Sequence, residues 1–171
     1  MDWDQLFMNM VYLIAKKSKD KSTHIGAVII GPVYEVISVG YNSFVRGCND
    51  DVPERQERPE KYFWFEHAER NAILNAVRIG VSTIGCTMYT QAMPCMDCAR
   101  SIVQSGISQV ILDQTFENKL YGSRAKWDEH HTKTSTLFKE CGVNVRYIKI
   151  KPVEIDGLVR GEIINLKEVK E

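Results

Sequence analysis

The sequence predicts an α/β protein: a three-layer α/β/α sandwich built on a central mixed five-stranded sheet. Three observations carry this expectation. The chain opens with an amphipathic, helix-length stretch. Two short β-branched runs then follow back to back across Gly31-Pro32, which reads as a hairpin. From there strand-like apolar runs alternate with helix-length runs closed by glycine, and that alternation puts helices on both faces of a sheet. A length of 171 residues and 44% apolar content fit one domain over 1–171, with a C-terminal extension from about residue 152.

Asp2 or Asp4 is placed to cap the first helix, expected to run to about Lys17. Trp3, Leu6, Phe7, Met10, Val11, Leu13 and Ile14 form its broad apolar face. Lys16, Lys17, Lys19 and Lys21 cluster around its end, either as a solvated helix terminus or as neighbours of a phosphate. Strands are expected over 25–30 and 34–39. Residues 44–63 are polar, charged and long for a loop, as functional lids often are. Tyr62-Phe63-Trp64-Phe65 ends that loop as core filler, as a base-stacking wall or as a subunit contact. Helices are expected over 66–79, 95–105 and 125–141, and strands over 86–91, 110–113 and 143–150. Residues 115–123 read as irregular, and a terminal hairpin is expected around Asp156-Gly157.

Lys+Arg and Asp+Glu both number 22, so the net charge is zero. A polynucleotide-binding chain usually carries a basic excess, so a small substrate is favoured over a nucleic-acid polymer. No apolar run approaches the ~18–20 residues of a membrane span, and no signal peptide is evident. The five cysteines are an odd number and give no disulfide framework, so a cytoplasmic setting is expected. Cys86 and Cys141 read as small buried hydrophobes.

The chemistry concentrates in His67-Ala68-Glu69 and Pro94-Cys95-Met96-Asp97-Cys98. A Cys-x-x-Cys pair alone is a redox pair or half of a structural zinc site. Together with a histidine it supplies three of the four positions of a tetrahedral zinc and leaves one for water, the catalytic pattern. The metal lowers the pKa of such a water towards about 7. Glu69, two residues after His67, points away from the ligand direction yet stays near the metal, free to shuttle protons. Both halves open helix-like runs, where the dipole favours thiolate and carboxylate anions. The arrangement matches the H-x-E…P-C-x-x-C signature of zinc nucleobase deaminases.

Beyond that motif, several segments resemble the deoxycytidylate (dCMP) deaminases of the cytidine-deaminase-like superfamily in order and spacing. They are Ser18-Lys19-Asp20, Ile25-Gly26-Ala27-Val28-Ile29, Gly40-Tyr41-Asn42, Gly47-Cys48-Asn49-Asp50-Asp51, His67-Ala68-Glu69-Arg70-Asn71-Ala72-Ile73, Pro94-Cys95-Met96-Asp97-Cys98-Ala99 and Ser105-Gly106-Ile107. The resemblance implies hydrolysis of dCMP to dUMP and ammonia. It implies a zinc on His67, Cys95 and Cys98, with Glu69 carrying protons to N3 and to the leaving amine; Cys48 stands alone in its loop, so one zinc per chain is expected. It also implies substrate contacts from Asn42, Ala68, Lys21, Ser22, Thr23, Pro94 and Tyr121. Family members are often hexamers activated by dCTP and inhibited by dTTP, so a homo-oligomer (hexamer or dimer) and these effectors are expected partners. The turn linked to effectors departs from the family pattern, with Ser43 in place of glycine. Arg70 is a substrate-phosphate contact, a subunit contact or an exposed helix cation, and His130 and His131 read as surface residues. The competing readings are a nucleoside, free-base or modified-dCMP deaminase, a polynucleotide editor, and a non-catalytic zinc module.

Overall fold

The computed structural model describes residues 1–121, 125–150, 157–159 and 161–164. The first helix, α1 (Trp3–Ala15), is capped by the Asp2 carboxylate, which accepts the Gln5 amide at 2.7 Å. Its buried face is Phe7, Met8, Val11, Tyr12 and Ala15. The expected face was rotated by about one residue, since Trp3, Leu6 and Leu13 are exposed while Met8 and Tyr12 are buried. Tyr12 fills the core because its hydroxyl finds a buried partner, Asp113 Oδ2 at 2.6 Å.

The hairpin forms as β1 (Gly26–Ile30) and β2 (Val36–Tyr41), paired antiparallel. The chain continues through β3 (Ser43–Phe44), a 3₁₀ turn (Pro53–Gln56), α2 (Lys61–Trp64) and β4 (Phe65–Glu66), with β4 pairing back on β3. The stretch read as a loop is therefore a folded insertion. Next come α3 (Ala68–Ile79), β5 (Thr87–Thr90), α4 (Met96–Gln104), β6 (Gln109–Asp113), α5 (Gln114–Tyr121), α6 (Ala125–Glu140) and β7 (Asn144–Ile148). Helix α5 corrects the expectation of irregular chain over 115–123; its first turn is held by Asp113 Oδ1 accepting the Thr115 amide. At the C-terminus β8 (Gly157–Val159) pairs with β9 (Glu162–Ile164), joining Val159 to Glu162. The turn therefore includes Gly161, whose φ of 83° suits glycine; Gly157 lies in β8, and Asp156 is outside the described residues.

The main sheet runs β2-β1-β5-β6-β7. Strand β1 is antiparallel to both neighbours, whereas β5, β6 and β7 are parallel. Parallel neighbours need a crossover, supplied by α4 and then by α5 and α6. The inner strands β1, β5 and β6 are largely buried on both faces and their side chains alternate between two cores. Ala27, Ile29, Met88, Val110 and Leu112 meet Ala72, Ile102 and Phe138 from α3, α4 and α6. Val28, Ile30, Tyr89 and Ile111 meet Phe7, Val11 and Phe116 from α1 and α5. Among the described residues no helix is long and apolar enough to cross a membrane.

Gly40 sets the position of α3. A Cβ there would collide with the backbone oxygen of Ala68 and the backbone nitrogen of Ala72, so only glycine lets the helix lie this close to β2. Three polar stitches hold the contact. Ser38 Oγ donates to Ala72 O at 2.7 Å, Asn71 Nδ2 to Tyr41 O at 2.9 Å and Asn75 Nδ2 to Val39 O at 2.6 Å. We expect Gly40→Ala to destabilise the fold by about 1–3 kcal/mol, the usual cost of overpacking, measured by denaturant unfolding. An unchanged midpoint would contradict this account of the α3–β2 contact.

Candidate active site

Two helix N-termini converge beside the sheet. His67 is the N-cap of α3 and Cys95 the N-cap of α4, both with extended backbone dihedrals. Cys98 lies on the first turn of α4 and is fully buried. Helix dipoles therefore bring positive potential to bear on the thiol groups. His67 Nδ1 sits 3.4 Å from Cys95 Sγ and 3.4 Å from Cys98 Sγ. The three ligand atoms all lie within 4.8 Å of one another.

This donor set fits zinc. With Zn–S near 2.3 Å and Zn–N near 2.1 Å, tetrahedral angles put nitrogen and sulfur about 3.6 Å apart. One of the two thiols is held in the form that ligates a metal. The Cys98 thiol, donating to Cys95, holds the Cys95 thiol down at about 3 against the opposing effect of burial, and the His67 ring adds to this. The same contact with Cys95 raises His67 to about 9. The cluster thus favours a thiolate, the form that ligates metal.

Glu69 is on the first turn of α3 and only 6% exposed. Burial pushes its carboxyl above the ordinary range, partly opposed by positive charge at His67. Its side chain lines a cavity of about 470 Å³ whose floor includes His67, Ala68 and Cys95. A carboxyl with a raised pKa beside a three-donor metal set is equipped to take and give protons.

The residues expected to touch substrate are distributed unevenly. Ala68, Ser22, Thr23 and Asn42 line the cavity. The Asn42 side chain is also committed elsewhere: Nδ2 donates to Thr23 O at 2.8 Å and Asp20 Oδ2 at 3.2 Å, and Oδ1 accepts the Ile25 amide at 2.8 Å. Asn42 therefore shapes the 20–25 segment. Pro94 is buried, and its carbonyl accepts the Thr134 hydroxyl at 3.0 Å. Lys21 is exposed and stands apart from the cavity lining. Tyr121 ends α5, and its side chain lies outside the described residues.

The cationic residues at the cavity were not foreseen. Lys61 is 7% exposed, its ammonium 2.5 Å from Asp20 Oδ2 and 2.9 Å from Ser22 Oγ. Burial raises the Asp20 carboxyl, but Lys61 and the Ser22 donors outweigh it and hold Asp20 below its ordinary value. Arg58 lines the same cavity. Neither stands out in the sequence, because both belong to an insertion read as a loop; a lysine four residues before the Phe65-Glu66-His67 run was the available signal. Of the aromatics, Tyr62 and Phe65 line the cavity while Phe63 is 76% exposed, so this cluster is not core. Arg70 also lines the cavity and pairs with Glu66 Oε1 at 2.5 Å. Lys19 pairs with Asp50 on the surface. His130 is exposed, as read, and also lines the cavity, whereas Cys141 is exposed, against the buried reading.

The family model for the cytidine and deoxycytidylate deaminase zinc-binding region matches residues 1–114. The mouse (Mus musculus) deoxycytidylate deaminase is 36% identical over 151 residues, covering 85% of this chain and 79% of its own. The human (Homo sapiens) deoxycytidylate deaminase is 34% identical with the same coverage. Among solved structures, the dCMP deaminase of cyanophage S-TIM5 in complex with dCMP and dUMP shares the fold. It has a TM-score of 0.63 at 20% identity, over 84% of this chain and 94% of that one. With a family match over residues 1–114 and relatives this similar across most of its length, the chain belongs to the cytidine and deoxycytidylate deaminase family of zinc-dependent hydrolases.

Proposed function

We propose that this protein hydrolyses dCMP to dUMP and ammonia, using one zinc ion per chain on His67, Cys95 and Cys98. The observation that carries this reading is one cavity lined both by His67, Cys95 and Glu69 and by Ser22, Thr23, Arg58 and Lys61. The first set suits chemistry on the base. The second offers two hydroxyls and two cations, the donor types that a monophosphate requires.

When bound, zinc supplies a water whose pKa is lowered to about 7. Glu69 takes one proton from the attacking water and passes it to N3 of the cytosine. It then takes the second, from the new hydroxyl on C4, and gives it to the amine as the C4–N bond breaks, so that water supplies both protons and Glu69 ends as it began. Its raised pKa supports transfer in both directions, since such catalysis works best when acid and base forms are close in energy at the operating pH. Ala68, buried at the first turn of α3, walls the base beside the metal set. Lys61 and Ser22 are already fixed in place by Asp20, so the phosphate would meet donors held in position before binding.

Two further parts of the proposal concern assembly and control. The apolar residues Leu74, Val77 and Val81 are exposed at spacing that puts them on one side of α3 and its C-terminal turn, which supports a homo-oligomer. Light scattering that gives the 19.6 kDa monomer alone would remove that part. Regulation by dCTP and dTTP is proposed on the pairing of Ser43 with Glu66, which joins the effector-linked turn to the strand just before His67.

The test is the loss of cytosine absorbance with dCMP, deoxycytidine, cytidine and dCTP side by side, with and without dCTP and dTTP as effectors. We expect dCMP to be the fastest substrate. Equal turnover of dCMP and deoxycytidine would contradict a phosphate-reading site, and rates indifferent to both nucleotides would remove regulation. Arg58→Ala should raise KM for dCMP about tenfold, the effect of losing about 1.4 kcal/mol of charge-assisted binding, and leave deoxycytidine unchanged. His67→Ala and Cys95→Ser should lose metal and activity together; stoichiometric zinc in either variant contradicts the ligand assignment. Glu69→Gln should keep its zinc and slow turnover by roughly 10²–10⁴. An unchanged rate would take Glu69 out of the mechanism.

A further inference from the structure

A second polar cluster lies behind the loop that carries Cys95, and the chemistry above makes no use of it. Its centre is Glu117 on α5, only 6% exposed. One carboxylate oxygen, Oε2, accepts the Met93 amide at 3.0 Å. The other, Oε1, accepts the Tyr147 hydroxyl at 3.1 Å and lies 2.8 Å from His131 Nε2. Tyr147 comes from β7 and His131 from α6, so three elements converge on one carboxylate. Thr134, three residues beyond His131 on the same helix, is fully buried and donates its hydroxyl to Pro94 O at 3.0 Å.

The geometry has a direct reading. Residues 91–95 lie between the end of β5 and the start of α4, so their backbone groups lack ladder partners. Side chains from α5 and α6 supply those partners, one at Met93 N–H and one at Pro94 C=O. The same five residues present Cys95 to the metal set and Ala92 and Met93 to the cavity wall. A buried carboxylate is a costly way to hold one amide, and burial does raise Glu117 above its ordinary range despite the hydrogen bond from His131. What the carboxylate provides, and a neutral short side chain does not, is simultaneous anchorage to a loop, a helix and the edge strand.

We propose that Glu117 is a positioning residue for the deamination: through Met93 it fixes the loop that aims Cys95 at the metal, and Thr134 does the same through Pro94. The inference rests on the metal-site reading above, and it extends the active site to α5, α6 and β7, beyond the residues 1–114 that the family match covers. Glu117 never touches substrate in this account. Its effect is exerted on where Cys95 Sγ and the cavity wall stand.

The experiment uses the full chain and reads zinc affinity by competition with a chromophoric chelator, alongside kcat and KM for dCMP and thermal unfolding. Glu117→Ala should weaken zinc binding by about 10–100-fold, the range seen when partners that orient metal ligands are removed, and lower kcat. Glu117→Gln keeps an acceptor for the Met93 amide and should recover most of the zinc affinity. Thr134→Val, close to isosteric, should weaken zinc binding as well. A variant that unfolds at lower temperature yet binds zinc with wild-type affinity would show a merely structural role and overturn the proposal. If Glu117→Ala does not fold, Thr134→Val decides: wild-type zinc affinity there overturns it, and weakened affinity supports it. The zinc measurement is independent of substrate, so a protein that fails to deaminate dCMP would refute the proposed function and leave this inference testable.

Discussion

The structure depends on two helices meeting tip to tip. Helices α3 and α4 sit on the same face of the sheet, and their N-termini approach until His67 Nδ1 is 3.4 Å from both thiols. Neither N-terminus is placed by its own sequence alone. Helix α3 is seated by the absence of a side chain at Gly40 and by the Ser38, Asn71 and Asn75 stitches to β2. Helix α4 follows β5 by a short crossover, and its entry loop is held from behind by Glu117 and Thr134. The metal set is thus the point where the antiparallel half of the sheet, carrying α3, is joined to the parallel half, carrying α4.

Another part of the cavity lining has a comparable logic with charge in place of sulfur. Asp20 accepts hydrogen bonds from Ser22 N at 2.7 Å, Ser22 Oγ at 2.8 Å, Thr23 N at 3.2 Å and Asn42 Nδ2 at 3.2 Å. It also takes the ammonium of Lys61. A buried ion pair contributes little net stability once desolvation is counted, and its usual value is in fixing one arrangement over others. Here it ties the 53–66 insertion to the wall of the site. As pH falls through the lowered pKa of Asp20, protonation removes that tie; above the ordinary carboxylate range it is fully present.

Much of this was legible in the sequence where local pattern and chemistry coincide. The Gly-closed helices, the Gly31-Pro32 hairpin and the alternation after it place all five sheet strands, because those signals depend on neighbouring residues. The His67, Cys95 and Cys98 set was legible because zinc imposes residue type and spacing. What escaped depends on distant partners. The face of α1 was misread because Tyr12 is made burial-competent by Asp113, far along the chain. The start of α5 was missed because the capping group, Asp113, is itself the last residue of β6. Lys61 looked like one cation among many, and only its burial against Asp20 distinguishes it from exposed Lys21. Glu117 gave no pattern at all, since its partners come from three separate elements.

The central claim is that this zinc has two sulfur ligands, one histidine and an open position. X-ray absorption at the zinc edge of the zinc-loaded protein tests it most directly. The account predicts two sulfur scatterers at about 2.3 Å and two nitrogen or oxygen scatterers at about 2.0–2.1 Å. Three or four sulfurs would mean that another of the five cysteines closes the site, and a closed site would contradict the hydrolytic reading.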